Sequence, residues 1–253
     1  MELENIIGND LNSPEIIVIN PPSKMKAYPA GSSIRYKPYK FGEILKTSQS
    51  KFDKSGWVKS ILEGVTVEGF DKLDMTYQDL LFIGLLRRMS TFNTDSFSLS
   101  YTCPECNAKV RVVKKLQDLE FYDIEAEALP IIVEYNESIN LICMPLTVRR
   151  WIELNEIDKI DDRVAVFAML VTNYPFEEAY KLVDDAKDPD LVDALSDVDI
   201  LLGHGVNPVN CTCKECKKSS MVKFFSPEVL IDPFRESEGA PRSRIRFGLS
   251  PDS

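Results

Sequence analysis

Cys103-Pro104-Glu105-Cys106 and Cys213-Lys214-Glu215-Cys216 decide how this chain is read. Each is a Cys-x-x-Cys knuckle, and together they supply four thiolates, the full ligand set of a closed tetrahedral zinc site. Two thiolates at this spacing can both turn toward one ion across a tight turn. For all four to meet, two such turns must come together from distant parts of the chain. An ion held there ties two halves of the protein to each other.

The flanks of each knuckle point to hairpins. Phe97, Leu99 and Tyr101 alternate with Ser96, Ser98 and Ser100 before the first, and Ala108, Val110 and Val112 alternate with Asn107, Lys109 and Arg111 after it. Period-2 alternation on both sides of a short turn predicts a β-hairpin. The second knuckle has Val206 and Val209 before it and Met221, Val222, Phe224 and Phe225 after it, with Pro208 marking an edge strand or loop. Strand, knuckle, strand is the build of a zinc ribbon. A disulfide framework needs an oxidising compartment, whereas the acidic start Met1-Glu2-Leu3-Glu4-Asn5 is unlike a secretory signal. A redox Cys-x-x-Cys is expected beside a βαβ pattern, and none is visible. Cys211 makes the second motif Cys-x-Cys-x-x-Cys and is an alternative ligand to Cys213. Cys143, in Ile142-Cys143-Met144, reads as a buried small apolar residue.

Composition narrows the function. The chain has 253 residues, 44 % of them hydrophobic, enough for a real core in one large or two smaller domains. A net charge of −10 argues against nucleic acid or an anionic membrane as the main partner. No apolar run approaches the roughly 20 residues of a membrane span. A soluble protein made in a reducing cytoplasm is expected. Catalytic constellations are thin: no Gly-x-Ser-x-Gly elbow, no phosphate-binding loop and no dinucleotide fingerprint. The single histidine, His204, stands between Gly203 and Gly205 and reads as a solvated loop residue, with replacement of one thiolate as its alternative role. The aspartates from Asp184 to Asp199 lack the glycine and terminal glutamate of a calcium loop, and the apolar residues among them keep helical spacing, so they read as a solvated helix face.

Along the chain, residues 1–33 read as an N-terminal extended arm, and 34–120 as a first helical half with its zinc knuckle. Residues 121–235 read as a second helical half with the other knuckle, and 236–253 as a C-terminal tail. In the first half, residues 34–39 predict a strand, and Phe41-Gly42-Glu43-Ile44-Leu45 a helix start. Trp57, Val58, Ile61 and Leu62 share one helical face. Thr76 is an N-cap candidate with Asp79 in capping-box position, and the apolar helix after it ends in Arg87-Arg88, cations that suit a helix C-terminus. The second half repeats the order: strands at 131–133 and 141–143, then four helical segments, then the knuckle. Pro38 and Pro145 lie 107 positions apart, and the two knuckles 110 apart. A near-constant offset at both ends of the unit predicts an internal duplication, with residues 34–115 superposing on 141–225. The expected fold is α+β, two related helical halves each ending in a knuckled hairpin, joined as a split zinc ribbon. The tail, with Arg242, Arg244 and Arg246 around Ile245 and before Phe247, cannot bury enough to fold alone and reads either as disordered or as an extended arm that docks on a neighbour through Ile245 and Phe247.

The runs Lys37-Pro38-Tyr39-Lys40-Phe41-Gly42-Glu43, Val58-Lys59-Ser60-Ile61-Leu62-Glu63-Gly64, and Leu73 through Arg87 resemble the baseplate hub proteins of T4-type contractile-tailed phages. In that family a P-F-T…E lead-in precedes helices, and a D-x-x-x-x-F-x-x-L-R-x-x-S helix leads into a strand and a cysteine turn. Asp79, Phe82 and Arg87 or Arg88 match that helix, and Ser90 and the strand to Cys103 follow, although Arg88-Met89-Ser90 departs from the family's Arg-to-Ser stretch. The resemblance covers residues 34–120 well and the second half loosely. It implies a non-enzymatic subunit or assembly factor of the baseplate hub, located in the virion tail and assembled in the host cytoplasm. Other baseplate and tail subunits are then its partners, with the terminal arms docked on neighbours. The zinc at Cys103, Cys106, Cys213 and Cys216 is structural in this reading. The alternative is a cytoplasmic zinc-ribbon adaptor or regulator that binds protein or nucleic acid. Its footing is Lys109, Arg111, Lys114 and Lys115 at the first knuckle, with Lys214, Lys217, Lys218 and Lys223 at the second. Those side chains otherwise read as the solvated faces of two hairpins.

Overall fold

The computed structural model describes residues 14–40, 42–43, 54–155 and 162–222. Alternation in Ser33–Tyr36 turns Ile34 and Tyr36 to one buried face, and this strand, β2, is the middle of an antiparallel sheet between β1 (Ile16–Ile17) and β3 (Val65–Glu68). Helix α1 (Lys54–Glu63) feeds β3 and buries Val58, Ile61 and Leu62 in one cluster with Ile34, Tyr36 and Val65. Burying side chains of this size stabilises by about 1.5–3 kcal/mol each. The segment expected to start a helix at residue 41 is described only at Gly42 and Glu43, both helical; residues 44–53 lie outside the described residues.

Helix α2 (Tyr77–Phe92) starts where the cap signal stands: Thr76 Oγ1 accepts the Asp79 N–H at 3.2 Å. The Asp79 carboxylate does not close a capping box. It is fully buried, and it accepts the Ser23 N–H at 2.8 Å and the hydroxyls of Ser23 and Tyr28 at 2.5 Å each. The Tyr28 oxygen accepts the Thr76 N–H at 3.0 Å in turn. A buried carboxylate must find donors, and these come from the segment read as an extended arm. Residues 14–33 are therefore packed on the body: β1 pairs with β2, and Val18, Ser23 and Tyr28 are buried. The rest of that segment, residues 1–13, and the tail lie outside the described residues.

Arg87 corrects a second expectation. Helix α2 runs past it to Phe92 and ends on Asn93, whose left-handed backbone (φ 46°) closes the helix. Arg87 is thus inside the helix and completely buried. Its Nε donates to the Lys37 carbonyl at 2.7 Å, and its Nη1 donates to the Ser60 and Ile61 carbonyls at 2.8 and 2.9 Å. Nη2 lies 3.3 Å from the Glu43 carboxylate, and the Tyr39 ring lies 3.8 Å beneath the guanidinium. The last carbonyls of a helix have no partner within it, and Arg87 serves those of α1.

The second span builds its own core. Strands β7 (Ile131–Asn136) and β8 (Ile139–Cys143) form a hairpin, and helices α3 (Val148–Asn155) and α4 (Asp162–Leu170) follow. The chain returns at Val171 to bridge Cys143, then forms α5 (Phe176–Asp184) and α6 (Pro189–Leu202). Cys143 is fully buried in this core, as its apolar neighbours suggest. In α6, Leu191, Leu195, Val198 and Leu202 are buried while Asp190, Asp193 and Asp197 are exposed, and the Asp188 carboxylate caps the helix by accepting the Asp190 N–H. Helix α3 joins the two cores. Its Val148 and Trp151 lodge in the first, Trp151 stacks on Tyr77 at 4.9 Å, and Thr147 bridges Thr76.

After α6 the chain enters β9 (Gly205–Val206), which pairs with β6 (Phe121–Tyr122). Between them His204 is buried, not solvated as its glycine neighbours suggest. Nδ1 lies 2.9 Å from the Leu202 carbonyl, and Nε2 lies 3.1 Å from Thr76 Oγ1. A carbonyl can only accept, so Nδ1 is assigned the proton and Nε2 accepts the Thr76 hydroxyl. Burial lowers the His204 pKa below 6.5, against the opposing pull of the Asp79 and Asp123 carboxylates and the Leu202 carbonyl. In the window below 6.5 the unfolded chain binds the proton more readily than the folded one. The histidine's contribution is therefore present above that pH and lost as pH falls through the folded value. Chemical denaturation of zinc-saturated protein should show stability declining below pH 6.5, and His204→Gln should flatten that decline.

Candidate metal centre

The four knuckle cysteines come to one point because two hairpins stack. Strands β4 (Ser96–Thr102) and β5 (Lys109–Lys115) pair from Ser96 opposite Lys115 to Thr102 opposite Lys109, which leaves Cys103 and Cys106 in the turn. Strands β10 (Val209–Thr212) and β11 (Ser219–Val222) pair from Val209 opposite Val222 to Thr212 opposite Ser219, which leaves Cys213 and Cys216 in the turn. The two turns share one geometry. In the first, the Cys103 N–H donates to the Ala108 carbonyl and the Cys103 carbonyl accepts the Asn107 N–H, both at 2.9 Å. In the second, the Cys213 N–H donates to the Lys218 carbonyl at 2.9 Å and the Cys213 carbonyl accepts the Lys217 N–H at 3.0 Å. The residue after the last cysteine is left-handed in both, Asn107 at φ 58° and Lys217 at φ 62°.

The hairpins are held together by contacts of side chains that the sequence pattern left on strand and knuckle faces. The Tyr101 hydroxyl donates to the Cys211 carbonyl at 3.3 Å, and Lys114 Nζ donates to the Asn210 carbonyl at 3.2 Å. Lys218 and Glu105 form an ion pair from one knuckle to the other. Beneath them, Leu85 and Met89 of α2 share a buried cluster with Phe97, Leu119, Val206, Val209, Cys211 and Val222. Of the two left-handed turn residues, Asn107 is a residue type that tolerates that backbone.

The sulfurs of Cys103, Cys106, Cys213 and Cys216 all lie within 4.8 Å of one another. Cys103 Sγ is 3.8 Å from Cys216 Sγ, and Cys106 Sγ is 3.7 Å from Cys213 Sγ. A tetrahedron with metal–sulfur bonds of about 2.3 Å has sulfur–sulfur edges of about 3.8 Å, whereas a disulfide needs about 2.05 Å. The donor set and its spacing therefore fit a four-coordinate thiophilic ion. Cys103 and Cys213 are fully buried, Cys216 is half-buried and Cys106 is exposed. Backbone N–H groups of Cys216 and Glu215 donate to the Cys213 sulfur and, with the thiols of Cys106 and Cys216, hold it down to about 7. The Ala108 N–H favours the Cys106 thiolate, but lost hydration and the three neighbouring thiols outweigh it and push that group up to about 12. Four thiolates this close repel one another, and a divalent cation is what lets them all ionise.

Cys211 lies apart from this quartet, buried in β10 among Val206, Val209 and Val222, where burial raises its thiol pKa. His204 is likewise not in the group, being bonded to Thr76 and Leu202. An ion held by all four sulfurs would have a closed tetrahedron, with no position left for a substrate. Among the described residues, no helix is long and apolar enough to cross a membrane.

The model of the T4 bacteriophage base plate protein family matches residues 14–230, a span that contains both hairpins and both cores. The chain belongs to that family. No curated protein and no solved structure matches it.

Proposed function

We propose that this chain is a structural or assembly component of the baseplate hub, without enzymatic activity. In this reading Cys103, Cys106, Cys213 and Cys216 hold a structural zinc that closes a split ribbon. Its partners are neighbouring baseplate and tail subunits, and it is assembled in the host cytoplasm. The observation that carries the reading is the sulfur quartet, at tetrahedral spacing, in a chain of a baseplate family. Soft thiolates select zinc among abundant ions, and a closed four-sulfur set is the structural rather than the catalytic form.

The ribbon joins residues 34–120 and 121–235, which we read as duplicated halves. Parallel hydrogen bonds support this. Lys37 and Met144, each followed by a proline, donate their N–H groups to Gly64 and Leu170, each at the end of a helix before the chain returns beside the strand. The matching knuckle turns supply the other end of the repeat. The purified chain is expected to carry one equivalent of zinc by elemental mass spectrometry, and less than a tenth of an equivalent would remove the clasp from this reading. Peptide mass spectrometry of purified virions separates the two roles: a subunit is found in the particle, and an assembly factor is not.

A further inference from the structure

The charges of this chain are segregated. The two hairpins with their turns, residues 95–115 and 209–222, carry seven lysines and arginines against three carboxylates, a net charge of +4. A divalent ion on four thiolates offsets two of these. Helices α5 and α6 with their connection, residues 176–202, carry nine carboxylates against two lysines, a net charge of −7. No ion pair among the described residues joins the two regions.

Each region also presents apolar side chains. Phe97 and Val110 turn to the buried side of the β4–β5 hairpin, so Arg111, Val113 and Lys115 share its outer face. Val113 is 67 % exposed there, and Lys109 and Arg111 form no ion pair among the described residues. On α6, Val192 and Ile200 are 41 % and 66 % exposed, beside the exposed Asp193 and Asp197. An apolar centre with a charged rim is the anatomy of a protein interface. The spacings also agree: alternate residues on a strand are about 6.7 Å apart, and residues four apart on a helix are about 6 Å apart along the axis. Lys109 and Arg111, alternate residues on the same outer face as Val113, are therefore spaced like Asp193 and Asp197 on α6.

We propose that the basic hairpin face of one molecule docks on the acidic α6 face of a second copy, in a head-to-tail contact. The two patches differ, so the contact is heterologous and can add further copies at either end. Opposite charge steers the encounter, and the exposed valines and isoleucine supply apolar area at its centre.

Sedimentation velocity of the zinc-loaded full chain tests this. Wild type is expected to self-associate at low salt and to dissociate at about 1 M salt, where the Debye length falls to about 3 Å. The pair Lys109→Ala with Arg111→Ala, and separately Asp193→Ala with Asp197→Ala, should each weaken self-association by about tenfold or more. An equal mixture of the two variants should form a heterodimer that grows no further, because only one intact head and one intact helix face remain. A wild type that stays monomeric at low salt overturns the proposal. So does either variant that self-associates as wild type does, or a mixture that stays monomeric. A short DNA duplex that binds wild type and not the hairpin variant, with no self-association, assigns the head to nucleic acid instead. The salt series on wild type needs no substitution and stands if a variant misfolds.

Discussion

Replacing Cys213 with serine should abolish stoichiometric zinc binding and lower the melting temperature by more than about 10 °C. Apparent binding free energies of structural zinc reach about 10–16 kcal/mol in small zinc-folded units, and a domain of this size shifts by about 2–4 °C per kcal/mol. Loss of about half of that binding energy produces the stated change. Cys213 is the informative position because it is fully buried, its turn is built on its own backbone bonds, and donated N–H groups favour its thiolate. A serine there cannot be a thiolate, and it leaves a polar group under the hairpins. Chelation of the wild type should reproduce the effect. Cys211→Ser and Cys143→Ala are the controls: both residues are buried outside the quartet, so both variants should keep the metal and lose only the roughly 1–3 kcal/mol of ordinary core substitutions. A Cys213→Ser protein that bound zinc and melted like wild type would remove the clasp.

The second large effect is expected at Arg87. Arg87→Met takes these donors from the Lys37, Ser60 and Ile61 carbonyls at once and removes the guanidinium beside Glu43. Breaking a buried charged network of this kind costs about 3–5 kcal/mol. Arg87→Lys should recover little, because one ammonium cannot reproduce a planar fork that reaches three carbonyls. Gly64 makes the test sharper. A methyl group at Gly64 would sit 2.1 Å from Arg87 Nη2, so Gly64→Ala must displace the guanidinium. Urea denaturation of the double variant should show the two costs to be strongly non-additive, with Gly64→Ala costing far less once Arg87 is methionine. Additive costs would mean that the glycine is kept for another reason.

These two sites mark what the sequence could and could not disclose. Local pattern exposed the knuckled turns, the alternation of β4 and β5, the Thr76 cap and the buried face of α6, because each depends on residues a few positions apart. The misread side chains take their partners from far away. Asp79 looked like half of a capping box, yet its donors Ser23 and Tyr28 lie 56 and 51 positions upstream. His204 looked solvated between two glycines, yet its partner Thr76 is 128 positions away. Arg87 looked like the end of α2 because two cations followed an apolar run. The true stop, Asn93, was visible as a residue type suited to left-handed backbone, but the carbonyls that draw Arg87 inward lie 26 to 50 positions before it. Cys211 and Cys213 could not be told apart by spacing. Only the stacking of the hairpins sends one to the hydrophobic cluster and brings the other to the sulfurs.

The sulfur pairs that meet are 107 and 113 positions apart along the chain. During synthesis the first pair of thiols leaves the ribosome long before the second. At about 5–20 residues per second, the wait is on the order of 5–20 s. Two thiols hold an ion far less firmly than four, so tight loading starts only once residue 216 has emerged and both hairpins have formed. If the quartet holds the proposed zinc, metal capture acts as a checkpoint on completeness, because a chain truncated anywhere before the second knuckle presents only half a site.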